Sequence, residues 1–468
     1  MITHTATQIA EAVGGALHGA DPEAKVVDVV VDSRAAVPGS MYVAIAGERV
    51  DGHDYAVAAV DAGSTVVLAA RPLSRADGSA LPCIVVDDPV IALGRLAHEV
   101  LDRRLTCKVA AITGSSGKTS TKDLLGAILS RAGATVSPQG SFNTEVGVPL
   151  TILRADEQTE YLVVEMGMRA LGHISYLTDI CQPDVGLVIN VGSAHVGMLG
   201  SREAIAEAKG ELVASLRPDG VAVLNGDDPL VRPMAARTSA TVVLFGEAPT
   251  ADLRASDVVL DADARPSFTM TDQRSGDSAR VTLHLSGEHY VSNALGAAAV
   301  AIALGVPLAD AASALSAAAP QSKWRMEVTE SPAGFTVIND AYNANPESTR
   351  AALKTLVAMA NGRRTWAVLG EMRELGEEAL VEHDAIGRLA VRLDVSRLVC
   401  VGEGTRVMHL AASNEGSWAD ESSYVADVDS AIALLTAEVR PGDVVLVKAS
   451  RSVGLERVAL ALIDEVTA

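Results

Sequence analysis

The chain has 468 residues, of which 49% are hydrophobic and only 3% aromatic, and its formal net charge is −21. This length predicts two to four domains, with cores built mainly from aliphatic side chains. The negative charge argues against binding to nucleic acid or to an anionic membrane surface. The four cysteines are scattered without ligand-like spacing, and no apolar stretch approaches the roughly 18 residues of a membrane span. We therefore expect a soluble, cytoplasmic monomer with structural cysteines.

Short β-branched runs alternate with Ala/Leu-rich helical patterns along most of the chain, which predicts an α/β fold with mostly parallel sheets. Before residue 100 the pattern is mixed, with strand-like VVDVVVDS and MYVAIAG. Later elements are a strand at 109–113, a helix at 119–132, and strands at 161–164, 185–191, 221–224, 242–245, 335–339, 365–369, 397–401 and 444–447. Cuts near residues 104 and 320 give predicted domains 1–104, 105–320 and 321–468.

The segment VAAITGSSGKTSTKD (109–123) resembles a phosphate-binding loop with compressed spacing. The usual pattern has four residues between its first glycine and the Gly-Lys pair, but only two follow Gly114 here. A loop between a strand and a helix N-terminus favours an anion, which Lys118 could reach, while the Thr119 hydroxyl could bind Mg²⁺. The alternative is an ordinary turn with a solvated lysine. The expected nucleotide-binding residues of the loop are Gly114, Ser115, Ser116, Gly117, Lys118, Thr119 and Ser120.

TGSSGKTS is similar to the loop of the Mur ligase family and its folylpolyglutamate synthase relatives. These ATP-dependent amide ligases phosphorylate a carboxylate and let an amine attack the acyl phosphate. The resemblance extends through ordered motifs over essentially the whole chain. It implies three domains: a smaller N-terminal α/β domain for a uridine nucleotide, a central P-loop domain with a mostly parallel sheet, and a C-terminal Rossmann-like domain. The last would bind the amine substrate and close over ATP, and we expect it to swing away when the substrates are absent.

Forming an acyl phosphate brings two anions together, and Mg²⁺ ions would neutralise their charge. Glu165, in YLVVEMG at the predicted end of a strand, resembles the family's magnesium-binding glutamate. In residues 188–212, the resemblance makes His195 a second-metal ligand and Lys209 a carbamylated lysine, whose added carboxylate would donate oxygen. A packed or surface histidine and a solvated helix lysine are the alternatives. With Thr119, these three residues form the expected site for two Mg²⁺ ions.

Other residues are expected to contact the nucleotide from outside the loop. Asn293, in GEHYVSNALGAAA, matches a family asparagine that could read the adenine, with His289 nearby; a helix start with a buried amide is the alternative. Arg325, in KWRMEV, resembles the arginine that meets the γ-phosphate. Asp340, in VINDAYNANPESTRAAL, ends a strand and could accept hydrogen bonds from the ribose hydroxyls. The resemblance implies that the catalytic residues are Lys118, Glu165, His195, Lys209 and Arg325.

The remaining motifs concern the two molecules to be joined. Residues 29–63 resemble the family domain that binds the uridine diphosphate of a muramoyl peptide. NDAYNANP with GEM-x-ELG resembles members that add D-alanyl-D-alanine to UDP-N-acetylmuramoyl-tripeptide, whereas the DYAHNPD and DNPR motifs of diamino-acid-adding members are not found. Thr144 stands where many members have a second asparagine. The resemblance implies that the substrate-binding residues are Ser33, Arg34, Asp51, His53, Asn143, Asn343, Asn345, Lys448, Ser450 and Arg451.

Two other functions stay open at this point. One is an amide ligase with a different amine or carboxylate, such as folate polyglutamylation, against which the uridine-domain resemblance argues. The other is a nucleotide-dependent regulator that kept the fold. A decayed enzyme would be expected to lose at least one catalytic side chain, and all of them are present. We therefore expect the dipeptide ligase of peptidoglycan biosynthesis, with closure that protects the acyl phosphate from water.

Overall fold

A computed structural model describes residues 1–47, 49–138, 140–194, 196–417 and 421–464. Strands and helices alternate along the chain, which confirms the predicted α/β class. The strands are β1 (His4–Thr5), β2 (Ala16–His18), β3 (Lys25–Val26), β4 (Asp28–Val30), β5 (Ser40–Val43), β6 (Val66–Ala69), β7 (Cys83–Val85), β8 (Lys108–Thr113), β9 (Thr135–Val136), β10 (Tyr161–Glu165), β11 (Val185–Val188), β12 (Val221–Asn225), β13 (Thr241–Gly246), β14 (Leu253–Leu260), β15 (Pro266–Asp272), β16 (Ser278–Thr282), β17 (Glu327–Glu330), β18 (Thr336–Asn339), β19 (Thr365–Gly370), β20 (Arg397–Val401), β21 (Ser422–Val425) and β22 (Val444–Lys448). The α-helices are α1 (Ala6–Val13), α2 (Ala56–Asp61), α3 (Pro89–Arg104), α4 (Lys118–Ala132), α5 (Gly147–Ile152), α6 (His173–Cys181), α7 (Val196–Leu199), α8 (Arg202–Ala214), α9 (Tyr290–Ala303), α10 (Leu308–Ala317), α11 (Pro346–Ala360), α12 (Ala379–Arg392), α13 (Arg406–Glu415), α14 (Val428–Glu438) and α15 (Glu456–Asp464).

The N-terminal sheet has the order β2-β7-β6-β5-β4 among the described residues, and only β2 runs antiparallel to its neighbour. Helix α3 leads from this sheet into the central part of the chain. Its N-terminus is fixed by Asp88, whose carboxylate accepts from the N–H groups of Val90 and Ile91, with Pro89 in the first turn. Because α3 packs against α1, α5 and α6, it joins the N-terminal and central cores.

The central sheet, in its described residues, has the order β16-β15-β14-β13-β12-β11-β8-β10-β9. The strands from β9 to β14 pair in parallel, and β14, β15 and β16 extend the sheet with antiparallel pairs. Strand β8 lies between β10 and β11, and all three are buried, as expected for a parallel sheet covered by helices. Their carboxyl ends therefore meet at one edge, where ligands of open α/β sheets bind.

The third sheet has the order β17-β18-β22-β19-β20-β21 within the described part of the chain, and only β17 pairs antiparallel. Since β18 and β22 are parallel neighbours, the residues that follow them lie side by side. Asn345 begins α11 by accepting a hydrogen bond from the N–H of Ser348, with Pro346 in the first turn.

The four strands predicted in the third block are all found, with ends that differ by one residue at most. The predicted strand at 185–191 ends at Val188 because the chain then turns to contact the phosphate loop. The antiparallel strands between residues 253 and 282 were not predicted. The domain boundaries near residues 104 and 320 stay a prediction. None of the helices formed by the described residues combines the length and apolar character needed to span a bilayer.

Candidate active site

The compressed loop connects β8 to α4 and presents open backbone donors. Gly117 has the left-handed φ of 78°, and a Cβ there would lie 2.5 Å from Asn293 Oδ1, so both conformation and space require glycine. The first helical bond runs from the N–H of Thr121 to the oxygen of Gly117. No hydrogen bond among the described residues uses the N–H groups of residues 117–120. Four consecutive donors at the start of a 15-residue helix form an anion-binding site.

Lys118 folds back over this loop. Its Nζ donates to the oxygen of Gly114 at 2.7 Å. Burial lowers its pKa, the nearby Glu165 carboxylate opposes this shift, and Arg325 adds to it. Among the described residues, the ammonium group has only this neutral carbonyl as a hydrogen-bonding partner, and it could exchange that carbonyl for phosphate oxygens.

Asn190, which follows β11, binds the other side of the loop. Its Oδ1 accepts from the N–H groups of Ser115 and Ser116 at 3.0 and 2.9 Å, and its Nδ2 donates to the oxygen of Ser116 at 3.2 Å. Sequence reasoning missed this residue as part of the site. The available signal was its position as the first residue of the N-x-x-x-A-H segment.

Glu165 supplies a buried carboxylate beside the loop. The residue is 1% exposed, and its Oε1 accepts from Asn143 Nδ2 at 2.7 Å. Its Oε2 is buried and has no hydrogen-bonding partner among the described residues. A buried carboxylate oxygen is costly without a partner, so it fits a cation. The hydroxyls of Thr119 and Ser141, 3.0 Å apart, add oxygen donors of the type that Mg²⁺ accepts.

The structure gives less information about the other two predicted metal ligands, His195 and Lys209. His195 lies outside the described residues, and the described part of the chain contains no group of three or more His, Cys, Asp or Glu residues suited to a metal. Lys209, on α8, is 1% exposed, and its side chain makes no hydrogen bond or ion pair with another described residue. Burial first, and Lys118 second, lower its pKa well below the ordinary lysine value. Lys209 is thus not a solvated helix lysine, and its amine is held towards the neutral form.

The third sheet contributes an arginine and an ion pair to the same region. Arg325 Nη2 donates to the hydroxyls of Thr119 and Ser141 at 3.2 and 3.1 Å. Its guanidinium carbon lies 4.1 Å from the ring centre of Tyr342. Asp340 Oδ2 accepts from Lys448 Nζ at 2.5 Å, and burial lowers the pKa of Lys448 although Asp340 raises it. The arginine therefore reaches the phosphate loop across the junction of two sheets.

Two further contacts join the third sheet's loops to the central sheet. Asn345 Nδ2 donates to the oxygen of Ser115 at 3.3 Å. Glu347 accepts from the N–H of Ser193 at 2.9 Å and from its hydroxyl at 3.1 Å to each carboxylate oxygen. Gly197 packs so closely that a Cβ there would lie 2.5 Å from the nitrogen of Gly376. Polar contacts and small residues thus hold the two parts together around the site.

His289 and Asn293 lie at the start of α9, and the Asn293 side chain packs against Gly117. Asn293 is 4% exposed. His289 Nδ1 is buried without a partner among the described residues, and burial lowers the pKa of the imidazole to about 4. Tyr290, next to it, has a pKa raised to about 12, mainly by burial. At neutral pH the imidazole of His289 and the phenol of Tyr290 are therefore uncharged, and with the Asn293 amide they offer neutral polar groups that could bind a base.

A cavity of about 770 Å³ connects these groups. Its far wall is formed by the start of α3 and by α6, so it extends well beyond the loop. Of the predicted site residues, it is lined by Ser115, Ser116, Gly117, Lys118, Thr119, Ser120, Asn143, Glu165, Asn293, Arg325, Asp340, Asn343, Asn345 and Lys448. Those not among its lining residues are Gly114, Lys209, Ser33, Arg34, Asp51, His53, Ser450 and Arg451.

Ser450 and Arg451 are engaged elsewhere. The Ser450 hydroxyl accepts from the N–H of Arg373 at 2.9 Å and donates to the oxygen of Ala344 at 3.4 Å. Arg451 pairs with Glu456 at 2.5 Å and covers the ring of Trp324. Lys448 is likewise paired within the protein. A substrate anion would therefore compete with the Asp340 carboxylate for the Lys448 ammonium group.

The predicted uridine-site residues form a separate surface on the N-terminal sheet. Asp51 Oδ1 accepts from the N–H and the ring Nδ1–H of His53 at 3.0 and 2.6 Å, and His53 Nε2 accepts from the N–H of Ala70. The two bonds from His53 lower the pKa of Asp51 to about 2, and the bond from the backbone N–H has the larger effect. Arg34, just after Ser33, is 88% exposed and pairs with Asp32. Asp51 and His53 therefore shape the loop, while Arg34 offers a surface cation.

The phosphate loop, the open helix N-terminus and the converging lysine and arginine define a P-loop nucleotide-binding protein. The families described as Mur ligase middle domain, Mur ligase glutamate ligase domain and Mur ligase family catalytic domain match residues 112–301, 324–451 and 25–100. A relative from Mycobacterium tuberculosis, named UDP-N-acetylmuramoyl-tripeptide–D-alanyl-D-alanine ligase, is 48% identical over 100% of this chain and 99% of its own length. The chain therefore belongs to the Mur ligase family.

More distant relatives agree over the full length. An Escherichia coli protein of the same name is 34% identical over 99% of both chains. The solved structure of MurF from Acinetobacter baumannii, 32% identical, covers 99% of both chains with a TM-score of 0.88. MurF from Thermotoga maritima, solved in complex with ADP, covers 94% of this chain and 98% of its own with a TM-score of 0.80 at 28% identity.

Proposed function

We propose that this chain joins D-alanyl-D-alanine to UDP-N-acetylmuramoyl-tripeptide and couples this step to the cleavage of ATP into ADP and phosphate. The product would be the UDP-N-acetylmuramoyl-pentapeptide used to build peptidoglycan. Full-length similarity to relatives that carry this name supports the substrates. The observation that carries the chemistry is one cavity that brings together Lys118, Glu165 and Arg325 from two sheets. The same set argues against a regulator that merely kept the fold.

In the first step, a carboxylate oxygen of the tripeptide attacks the γ-phosphorus of ATP, and the bond to the β-phosphate oxygen breaks. The N–H groups of residues 117–120 would hold the phosphates, and Lys118 and Arg325 would stabilise the charge that spreads over the γ-phosphoryl oxygens. Asn293 would hold the adenine and Asp340 the ribose. ADP leaves, and the tripeptide becomes an acyl phosphate.

Thr119 and the Oε2 of Glu165 would hold Mg²⁺, with His195 and a carbamylated Lys209 as the further ligands that family membership implies. When bound, Mg²⁺ supplies positive charge that allows the two anions to approach. The low pKa of Lys209 supports its modification, because only a neutral amine can add carbon dioxide and lose a proton to become a carbamate.

In the second step, the free amine of D-alanyl-D-alanine attacks the acyl carbon, the amide bond forms, and phosphate leaves as the amine loses a proton. Exclusion of water matters here because an acyl phosphate hydrolyses easily. The bond of Glu347 to Ser193 and the contact of Asn345 with Ser115 would keep the third domain closed during this step.

The N-terminal domain, residues 1–104, would bind the uridine diphosphate, with Ser33 and Arg34 at the nucleotide and Asp51 and His53 supporting the neighbouring loop. Residues 105–320 would hold ATP, and residues 321–468 the dipeptide. Asn143 and Asn343, which line the cavity, complete the proposed substrate contacts, and Ser450 and Arg451 would join them only by leaving their protein partners. We propose that the enzyme is a monomer and that it works in the cytoplasm, where its nucleotide substrates are made.

Phosphate release from ATP and Mg²⁺ tests the proposal directly. The rate should rise only when the uridine-linked tripeptide and D-alanyl-D-alanine are both present, and mass spectrometry should find the pentapeptide. A matched reaction with L-alanyl-L-alanine controls for non-specific amine attack. If phosphate release does not depend on the dipeptide but increases with a folate and glutamate, the proposed substrates are wrong. The proposed ATP chemistry would still hold.

A further inference from the structure

The shortened phosphate loop is completed by a side chain from the neighbouring strand. Asn190 lies 74 residues from Ser116 in sequence, yet its amide makes three hydrogen bonds to the backbone of Ser115 and Ser116. The backbone N–H of Ser115 also donates to the backbone oxygen of Asn190 at 3.1 Å. The loop backbone is thereby tied to the end of β11 through both its donors and an acceptor.

This arrangement decides which loop donors can meet phosphate. In a loop of ordinary spacing, the glycine-rich backbone itself wraps the phosphates. Here the N–H groups of Ser115 and Ser116 donate to Asn190, whereas those of residues 117–120 have no acceptor among the described residues. The phosphates are thus directed to the start of α4, next to the Lys118 side chain.

We propose that Asn190 is a positioning residue for the nucleotide: its amide replaces the missing loop residues and holds the donors of residues 117–120 in a binding conformation. The inference rests on the proposed function for the identity of the nucleotide as ATP. Asparagine suits this role because it accepts and donates without charge. An aspartate could still accept from both N–H groups, but it would lose the bond to the Ser116 oxygen and repel phosphate.

Calorimetric titration with ADP and with ATP plus Mg²⁺ tests this role in the full-length protein. Asn190→Ala should weaken nucleotide binding by about 10- to 100-fold. The part-buried N–H of Ser116 loses its acceptor, the N–H of Ser115 keeps only the backbone oxygen of residue 190, and the loop loses the side chain that holds its conformation. Asn190→Asp should fold like the wild type and weaken binding at least as much, with a larger effect at low salt. Affinity for the uridine-linked tripeptide should stay unchanged in both variants.

Asn225 offers a matched control at the end of the adjacent strand β12. Its Nδ2 donates to the oxygen of Ile189 at 2.9 Å, and its Oδ1 accepts from the N–H of Asp227 at 3.0 Å, so it supports backbone without touching the loop. Asn225→Ala should cost thermal stability and leave nucleotide affinity within about threefold of the wild type.

Two results would overturn the inference: nucleotide affinity of folded Asn190→Asp and Asn190→Ala within threefold of the wild type, or an equal loss in Asn225→Ala. If Asn190→Ala does not fold, the isosteric Asn190→Asp decides alone. A different result would contradict the proposed function. If the wild-type protein binds ATP but its phosphate release does not respond to D-alanyl-D-alanine, the proposed substrates are wrong, whereas the role of Asn190 in nucleotide binding still holds.

Discussion

Glu347 makes the most quantifiable contact between the third sheet and the central sheet. Its carboxylate accepts two donors of one residue, the N–H and the hydroxyl of Ser193. A hydrogen bond to a charged group is worth about 1.5–3 kcal/mol net. Because the contact is part-buried and both donors belong to one residue, we assign the pair about 2–3 kcal/mol, which is less than two independent bonds would contribute. If these bonds form only on closure, Glu347→Ala should lower kcat/KM for all three substrates by about 30- to 150-fold.

Steady-state phosphate release measures this loss, and small-angle X-ray scattering with ADP and both other substrates measures closure. Ser193→Ala keeps the backbone donor, so it should cost only about threefold to tenfold. In a double-mutant cycle, Glu347→Ala and Ser193→Ala should show coupling of about 1 kcal/mol. Strictly additive losses, or an unchanged rate in Glu347→Ala, would refute the idea that this contact stabilises the closed form.

Three further predictions concern single side chains. Lys209→Ala should lower the ligase rate by more than about 100-fold, and added formate or acetate should restore part of it by supplying a carboxylate; no rescue at any concentration would count against carbamylation. Glu165→Gln should raise the Mg²⁺ concentration needed for half-maximal activity at least about tenfold, and an unchanged Mg²⁺ titration would remove Glu165 from the metal site. His289, with a folded pKa of about 4 against 6.5 unfolded, contributes stability that is present above pH 6.5 and lost as pH falls towards 4. Urea unfolding at pH 7.5 and 5 should therefore show His289→Gln losing about 1–2 kcal/mol less than the wild type, and an identical loss would contradict the burial of a neutral imidazole.

The parts of the site that follow from adjacent residues were predictable from sequence. The loop, its helix and Glu165 at the end of β10 depend on local patterns, and the structure brings Lys118, Glu165 and Arg325 around one cavity. Asn190 and Glu347 were missed because their partners lie 74 and 154 residues away, and no local period records such a contact.

Some motif residues are engaged with protein groups in the structure, and their predicted contacts with substrate stay predictions. Asp51 and His53 match the uridine-domain pattern, but the structure uses them mainly to fix a loop through bonds to each other and to Ala70. Ser450 and Arg451 are engaged with protein groups outside the cavity lining. Sequence identifies which polar residues belong to a site, whereas the fold determines which of them face a ligand.

The order of strands in the third sheet has a consequence for protein synthesis. Strand β22 is the last strand of the described residues, yet it lies between β18 and β19 and supplies the Lys448 partner of Asp340, 108 residues earlier. Until β22 leaves the ribosome, β17 and β18 cannot join β19, β20 and β21 in one sheet. A nascent chain can therefore form its phosphate loop long before it forms the part of the cavity that Asp340 and Lys448 of the third sheet line. A chain that stops before β22 therefore lacks both the strand that joins the two parts of the third sheet and the Lys448 partner of Asp340.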